Sequence, residues 1–190
     1  MRTDMLAELP KQLELGERVA QQMDALWQKS VQGIHKGVVR EHGATLVMEQ
    51  GGELKLVNPV VGEEDRVRPN REVAGGEKLM GTFHTHPYRE GYTGVAFSGQ
   101  DIANVINSHD SITVVQSGVD VFALRPTDKT PEVIDPVVLK REFHQRLVRH
   151  VEEGMSFPEA MYATNLDMCE KYEIAMYRGR RGILRGVYRP

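Results

Sequence analysis

The sequence predicts a mixed α/β fold, in which helices flank a largely antiparallel central sheet and further helices lie at both ends of the chain. Two turn signals, Gly51-Gly52 and Ser117-Gly118, each separate a pair of short runs with strand patterning, which is typical of β-hairpins. An amphipathic segment precedes the first hairpin, and the chain after about residue 135 has helical patterning. Sheets and helices bury their apolar sides against each other, so these elements favour a layered arrangement.

The N-terminal half is predicted to contain one helix followed by short strands. Apolar residues recur at helical spacing, which predicts an amphipathic helix over residues 11–30. Three strands follow, and the alternation of apolar side chains places them near residues 36–41, 44–49 and 53–60. The next segment, residues 62–77, is charged and contains proline and glycine, so we expect a mobile loop there.

A further strand is predicted to end at His84 and His86. Apolar and β-favouring residues lead into this pair, and the proline after it ends the strand pairing. Ser98 has the position of a helix N-cap, because an apolar stripe with helical spacing follows it. Two β-branched runs then predict strands over residues 111–116 and 119–124.

The remainder of the chain is predicted to be helical after a connector at residues 127–134. One helix ends at Gly154, and a capping box that begins with Ser156 opens a second helix. The apolar residues assigned to this second helix are Met161, Leu166, Met168, Cys169, Tyr172, Ile174 and Met176. The last thirteen residues contain five arginines and no acidic residue, which we interpret as a solvated basic tail.

Length and composition are typical of one compact domain. The chain has 190 residues, of which 40% are hydrophobic and 27% charged, and these are ordinary values for a globular protein with a substantial core. Within it we distinguish three parts. They are an N-terminal helical extension (1–34), a central core (35–126) and a C-terminal helical extension with the basic tail (127–190).

Several classes of protein are disfavoured by the same composition. A net charge of -3 does not favour a nucleic-acid partner. No apolar run approaches the ~20 residues needed to span a bilayer, and no charged-then-apolar leader opens the chain, so we expect a cytoplasmic protein without a membrane partner. The single cysteine, Cys169, excludes an internal disulfide and a cysteine-based zinc site. Homodimerisation through the C-terminal helices is left open.

Three metal-ligand side chains, His84, His86 and Asp101, lie close together in the sequence. Residues two apart on a strand point to the same face, so the two imidazoles are aimed at one point in space. Asp101 falls in the first turn of the predicted helix, where its carboxylate can face the end of the strand. Two histidines and one carboxylate leave the fourth tetrahedral position of a zinc ion free, which is typical of a catalytic site.

This pattern resembles the motif of the JAMM (MPN+) metalloproteases, which is an upstream glutamate, then His-x-His-Pro, then Ser-x-x-Asp. The match covers residues 35–125 and implies the fold of that family, which is similar to that of cytidine deaminases. The resemblance implies one zinc ion per chain, bound by His84, His86 and Asp101. It also implies that Ser98 stabilises the tetrahedral intermediate.

The upstream glutamate of the motif activates the attacking water in that family. Glu41 fits its place before a glycine and an apolar run, and Glu49 at the far end of the same run is the alternative. Zinc lowers the pKa of its water from about 15.7 to roughly 7, and a neighbouring glutamate can take a proton and pass it to the leaving amine. These residues therefore predict a zinc hydrolase of amide or isopeptide bonds.

The resemblance implies that the substrate is a ubiquitin-like protein or another protein or peptide, and bacterial members of the family are similar in size. Tyr88, Tyr92 and Phe97, in the loop between the two halves of the motif, are candidates for substrate contact. The alternative function is a non-catalytic scaffold in a protein complex, as in relatives that lack the metal ligands. The presence of every motif residue argues against this alternative.

Overall fold

A mixed sheet of eight strands with helices on both faces confirms the predicted α/β class. The computed structural model describes residues 9–190. The strands are β1 (Gln12–Glu14), β2 (His42–Met48), β3 (Leu54–Val61), β4 (Lys78–Thr85), β5 (Ile112–Ser117), β6 (Asp120–Pro126), β7 (Ile174–Arg180) and β8 (Ile183–Tyr188). The helices are α1 (Glu17–Val31), α2 (Gly99–Ser108), α3 (Pro136–Glu152) and α4 (Phe157–Tyr172). Across residues 9–190, no helix combines the length and apolar character needed to cross a membrane.

Two apolar cores lie on opposite faces of the sheet. The first is formed with α1, which buries Val19, Met23 and Leu26 against the strands. The second lies under α2, α3 and α4. Val114 and Val115 are neighbours on β5 but belong to different cores, because successive side chains of a strand point to opposite faces. The sheet is therefore the middle of three layers.

One pair of strands determines where the chain can form a site. The strand order is β1-β8-β7-β6-β5-β4-β2-β3, and every described neighbouring pair is antiparallel except β4 and β5. Parallel strands need a crossover connection, and here α2 supplies it. The chain must return from the end of β4 to the start of β5, so the N-terminus of α2 lies at the C-terminal end of β4.

The N-terminal helix begins later than predicted. Residues 12–14, which fall within the predicted helix 11–30, form β1 and pair with residues 183–185 of β8. Gly16 has a positive φ of 83°, a conformation that favours glycine and separates this strand from α1. Residues 1–8 of the predicted N-terminal extension lie outside the described residues.

The strand predicted over residues 36–41 is wrong. Ile34–Lys36 form a short 3-10 helix, and Gly37 ends it in a left-handed conformation with φ of 67°. The two strands that follow are confirmed, since β2 and β3 begin and end within two residues of the predicted bounds. Gly52, with φ of 85°, lies in the turn between them.

The prediction that the chain stays helical to its end is also wrong. Both helices form, with Asp135 capping α3 and the capping box at Ser156 opening α4. Beyond α4 the chain forms a β-hairpin, so Ile174 and Met176 lie fully buried on β7 rather than on a helix. The arginines of the predicted basic tail therefore belong largely to strands and their turn. Two of them pair with Asp120, since its Oδ1 atom lies 3.4 Å from Arg178 Nη2 and 3.5 Å from Arg180 Nε.

Gly81 is predicted to be essential for the pairing of β4 with β5. A Cβ atom added to Gly81 would lie 1.7 Å from the carbonyl oxygen of Ile112, its partner on β5. We expect Gly81→Ala to lower the free energy of unfolding by about 3 kcal/mol, because the two backbones must move apart. Chemical denaturation measures this change.

Gly51→Ala is the matched control, since a Cβ atom at Gly51 meets nothing within 4 Å. Its free energy of unfolding should change by less than about 0.5 kcal/mol. Equal stability of the two variants would contradict the close approach of the two strands.

Candidate metal centre

His84 and His86 lie at the C-terminal end of β4 and face the side of the sheet that carries α2. His84 is within the strand, and His86 continues the pairing with β5 by donating its backbone N–H to the Gln116 carbonyl at 2.9 Å. The two-residue period of extended backbone brings both imidazoles to the same side. Both side chains are buried. The local backbone therefore arranges the pair as predicted from the sequence.

Asp101 completes a cluster of three potential metal ligands. The Nε2 atoms of His84 and His86 are 2.9 Å apart, and they lie 3.3 and 3.4 Å from the two carboxylate oxygens of Asp101. One ligand atom from each residue lies within 4.8 Å of the others. Two nitrogen atoms on a tetrahedral zinc ion are roughly 3.3 Å apart, given zinc–nitrogen bonds of about 2.0–2.1 Å. The cluster can therefore hold a metal ion with only small side-chain adjustments.

The orientation of the His86 ring is determined by a backbone carbonyl. His86 Nδ1 lies 2.9 Å from the carbonyl oxygen of Ala96. A carbonyl can only accept a hydrogen bond, so Nδ1 donates its proton to it and Nε2 is the nitrogen directed at the cluster, with a free lone pair when the ring is neutral. Metal-binding histidines are commonly oriented in this way. Ala96 was missed in the sequence, because a backbone acceptor in a loop has no side-chain signal.

The carboxylate of Asp101 is positioned by the capping box of α2. Its Oδ2 atom accepts hydrogen bonds from the backbone N–H of Ser98 at 2.8 Å and from the Ser98 hydroxyl at 2.7 Å. Burial raises the pKa of Asp101, but His84 and His86 outweigh this effect and hold the pKa well below its usual range. The predicted role of Ser98 in stabilising an intermediate stays a prediction. In this structure the hydroxyl proton of Ser98 is donated to Asp101.

Glu41 lies beside the cluster, whereas Glu49 does not. The Oε1 atom of Glu41 is 3.9 Å from His86 Nε2, and its side chain is buried. Burial raises the pKa of Glu41 to about 8, with His86 acting in the opposite direction. Glu49 follows the far end of β2, where it pairs with Arg18 at 3.2 Å and Lys55 at 2.7 Å. The position of Glu41 is the one from which a carboxylate can act on a bound metal ion or its water.

The backbone of Glu41 is held by the loop that follows β3. Its N–H donates to the Glu63 carbonyl at 2.7 Å, and its carbonyl accepts from the Gly62 N–H at 2.8 Å. These two bonds extend the pairing of β2 with β3 by one residue. The start of the loop over residues 62–77 therefore holds the Glu41 backbone in place beside the end of β3.

A buried hydrogen-bond network lies behind the cluster, on the face of the sheet that carries α1. Thr85, between the two histidines, accepts the backbone N–H of His42 at 2.9 Å, and its hydroxyl is 2.7 Å from the Ser30 hydroxyl. Ser30 donates to the Leu26 carbonyl at 3.0 Å, which leaves Thr85 as the donor to Ser30. The network joins the end of β4 to the residue after Glu41. In the sequence, the only sign of this network is a hydroxyl-bearing residue, Thr85, between the two histidines.

A cleft of about 1360 Å³ surrounds the cluster. Its walls are the polar side of α2 and the loop at residues 62–77, which contains no helix or strand, as predicted. Arg71 anchors this loop through a bidentate salt bridge with the buried carboxylate of Asp110, in which Arg71 Nη1 lies 2.8 Å from Asp110 Oδ2. Arg89 pairs with Glu64 and so connects the loop to the segment after β4. The mobility predicted for the loop stays a prediction.

The three aromatic residues predicted to contact substrate have different environments. Tyr88 lines the cleft, and its ring packs edge-on against Tyr92 and Phe157 with centroids 6.3 and 5.6 Å away. Burial and the negative charges of Glu41 and Asp101 raise the pKa of the Tyr88 phenol.

Tyr92 is 43% exposed but does not line the cleft, so its substrate contact stays a prediction. The prediction for Phe97 is wrong. Its side chain is fully buried in the core beneath α2, because the loop turns inward before the helix begins.

Comparison with known proteins identifies no relative. No protein-family model, curated protein or solved structure matches the chain.

Thr85 provides a test of the network behind the cluster. Thr85→Val keeps the shape of the side chain but leaves the His42 N–H without its acceptor and removes the hydrogen bond that Ser30 accepts, while Ser30 still donates to the Leu26 carbonyl. We expect the free energy of unfolding to fall by about 1–3 kcal/mol, as for other buried groups left unsatisfied. Chemical denaturation measures the change, and Thr85→Ser should retain most of the stability.

Thr164→Val is the matched control. Thr164 is fully buried on α4, and its hydroxyl has no hydrogen-bond partner among residues 9–190. Its replacement should be neutral or stabilising, since no hydrogen bond is lost. If the two valine variants had the same stability, the network would contribute nothing.

Proposed function

We propose that this chain is a zinc-dependent hydrolase of amide or isopeptide bonds. The observation that carries the proposal is the convergence of His84, His86 and Asp101 in a cleft, with the Glu41 carboxylate beside them. Two imidazoles and one carboxylate are a donor set of catalytic zinc sites, which keep one position for water or substrate. Magnesium and calcium prefer oxygen ligands, so the two nitrogen donors favour zinc over these ions.

The residues of the site have two roles in hydrolysis, which are metal binding and proton transfer. A zinc ion, when bound, supplies Lewis acidity and lowers the pKa of water from about 15.7 to roughly 7. His84, His86 and Asp101 are the residues that would hold it. Glu41 takes a proton from water as the water oxygen bonds to the amide carbon. Its carboxyl group then passes that proton to the nitrogen as the carbon–nitrogen bond breaks, which leaves a carboxylic acid and an amine.

Ser98 contributes to this arrangement through Asp101. Its backbone N–H and hydroxyl both bind Asp101 Oδ2, so Oδ1 remains directed at His84 Nε2, 3.3 Å away. A carboxylate held by two hydrogen bonds needs little reorganisation when a cation binds. Ser98 therefore positions Asp101 for metal binding in addition to capping the helix.

The proposed substrate is a polypeptide. The cleft volume of about 1360 Å³ exceeds the ≈ 300–1,000 Å³ that is usual for small-molecule pockets. Its walls carry acidic side chains, among them Glu64 and Glu90, and basic ones, among them Arg68 and Arg89. The resemblance to the JAMM enzymes favours a ubiquitin-like protein or a similar peptide tail as the group that is removed.

Glu41→Gln is the variant that separates metal binding from turnover. The substitution keeps the size of the side chain but removes the proton acceptor. Zinc content should therefore stay at about one ion per chain, while turnover falls by about 10²–10⁴-fold. Elemental mass spectrometry measures the zinc. Cleavage is followed with coumarin amides of ubiquitin-like proteins and with a proteome-derived peptide library read by mass spectrometry.

Glu49→Gln is the control, because Glu49 is a surface residue outside the cleft. It should leave both zinc content and turnover unchanged. Full turnover by Glu41→Gln would exclude Glu41 as the base. Zinc binding by the wild type without cleavage of any probe would favour the scaffold role instead.

A further inference from the structure

We propose that the Tyr88 hydroxyl donates a hydrogen bond to the carbonyl oxygen of the scissile amide as that oxygen becomes negatively charged. The inference rests on the proposed function and names a further catalytic residue for it. It replaces Ser98, to which the resemblance assigns this stabilisation. Only a hydroxyl whose proton is free can donate this hydrogen bond.

The hydroxyl proton of Ser98 is already engaged. Ser98 Oγ lies 2.7 Å from Asp101 Oδ2, and it also accepts the Asp101 backbone N–H at 3.2 Å. A hydroxyl group has one proton, and here a carboxylate receives it in a charge-assisted bond, which is stronger than a neutral one. Turning that proton toward a substrate would remove one of the hydrogen bonds that hold Asp101, a proposed metal ligand.

The hydroxyl of Tyr88 is not engaged in such a hydrogen bond. It lines the same cleft two residues after His86, and no described residue of the chain makes a hydrogen bond with its hydroxyl. The hydroxyl of a tyrosine can donate a hydrogen bond as well as accept one. The ring is held in place by edge-on packing against Tyr92 and Phe157. A donor fixed in advance stabilises a developing charge with little reorganisation.

The charged donors along the cleft are mostly paired. Arg66 is bound to Glu63, Arg71 to Asp110, and Arg89 to Glu64. Arg68 lines the cleft without an ion-pair partner among residues 9–190, but it lies on the exposed loop. Arg68 is therefore the rival donor that an experiment must distinguish from Tyr88.

The proposed step leaves Tyr88 chemically unchanged. The oxygen of water bonds to the amide carbon, the water proton passes to Glu41, and the electron pair of the carbonyl bond moves to the carbonyl oxygen. Tyr88 holds that oxygen by a hydrogen bond and keeps its own proton. The electron pair returns when the carbon–nitrogen bond breaks and the nitrogen takes the proton from Glu41.

Tyr88→Phe tests the inference, because it removes the hydroxyl and keeps the ring. With the zinc-loaded protein and the probe that the wild type cleaves fastest, we expect kcat to fall about 10²–10³-fold with KM little changed. Zinc content and the thermal midpoint should stay at wild-type values. Tyr162→Phe is the matched control, since Tyr162 packs on the core away from the cleft, and it should retain full kcat.

A binding measurement provides a readout that does not depend on turnover. A phosphinate analogue of the cleaved peptide imitates the tetrahedral oxyanion, and its affinity is measured by calorimetry. We expect Tyr88→Phe to weaken phosphinate binding by about the same factor as kcat, because the hydroxyl acts on the transition state more than on the substrate. The affinity for the product peptide should not change.

Three outcomes would overturn the inference. The first is unchanged kcat and phosphinate affinity in Tyr88→Phe. The second is a comparable loss in Arg68→Gln while Tyr88→Phe stays active, which would assign the donor to Arg68. The third is loss of zinc or of thermal stability in Tyr88→Phe, which would make Tyr88 a structural residue. A wild type that cleaves no probe would overturn the proposed function, and this inference with it, whereas an active wild type limits any failure to Tyr88.

Discussion

The parallel pairing of β4 with β5 is the constraint on which the site depends. It requires a crossover, the crossover is α2, and the start of α2 must therefore lie at the end of β4. This topology brings Asp101, in the first turn of the helix, within 3.3 Å of His84 and 3.4 Å of His86. Because Gly81 has no side chain, its backbone can lie against the Ile112 carbonyl, which allows the two strands to pair. The three candidate ligands thus converge from the end of one strand and the start of the next helix.

Two layers of hydrogen bonds then position the side chains that carry the chemistry. On the cleft side, Ser98 holds Asp101 and the Ala96 carbonyl holds His86. On the opposite side, Thr85 ties the end of β4 to the beginning of β2, one residue after Glu41. The two histidines lie at the end of β4 and Glu41 directly precedes β2, and the hydrogen bond from the His42 N–H to Thr85 joins these two segments. Such support is what a preorganised site requires.

The local parts of this arrangement could be predicted from the sequence, and the non-local parts could not. The convergence of the three candidate ligands follows from local patterns. His84 and His86 are two apart at the end of a strand and so point to the same side, and Asp101 lies in the first turn of the next helix. The motif favoured Glu41 and left Glu49 as the alternative, and the sheet pairing shows that the Glu41 end of the apolar run meets the histidines. The short β1 strand depends on partners at residues 183–185, so helical periodicity around it was misleading.

The C-terminal strands were missed for a related reason. Ile174 and Met176 are two residues apart and continue the apolar pattern of α4 without a proline to interrupt it, and the left-handed turn at Glu173 has no strong residue signal. Charged side chains on β7 and β8 then resembled a solvated tail. Phe97 was predicted to contact substrate, because an aromatic residue in a loop has no local signal for burial. In each case tertiary contacts outweighed the local pattern.

Anomalous diffraction at the zinc edge can show whether the two histidines and Asp101 bind one zinc ion. Crystals of protein loaded with zinc should show one peak per chain. It should lie about 2.0–2.2 Å from the Nε2 atoms of His84 and His86 and from a carboxylate oxygen of Asp101. A peak elsewhere, or none at this cluster, would show that these three residues do not form a zinc site.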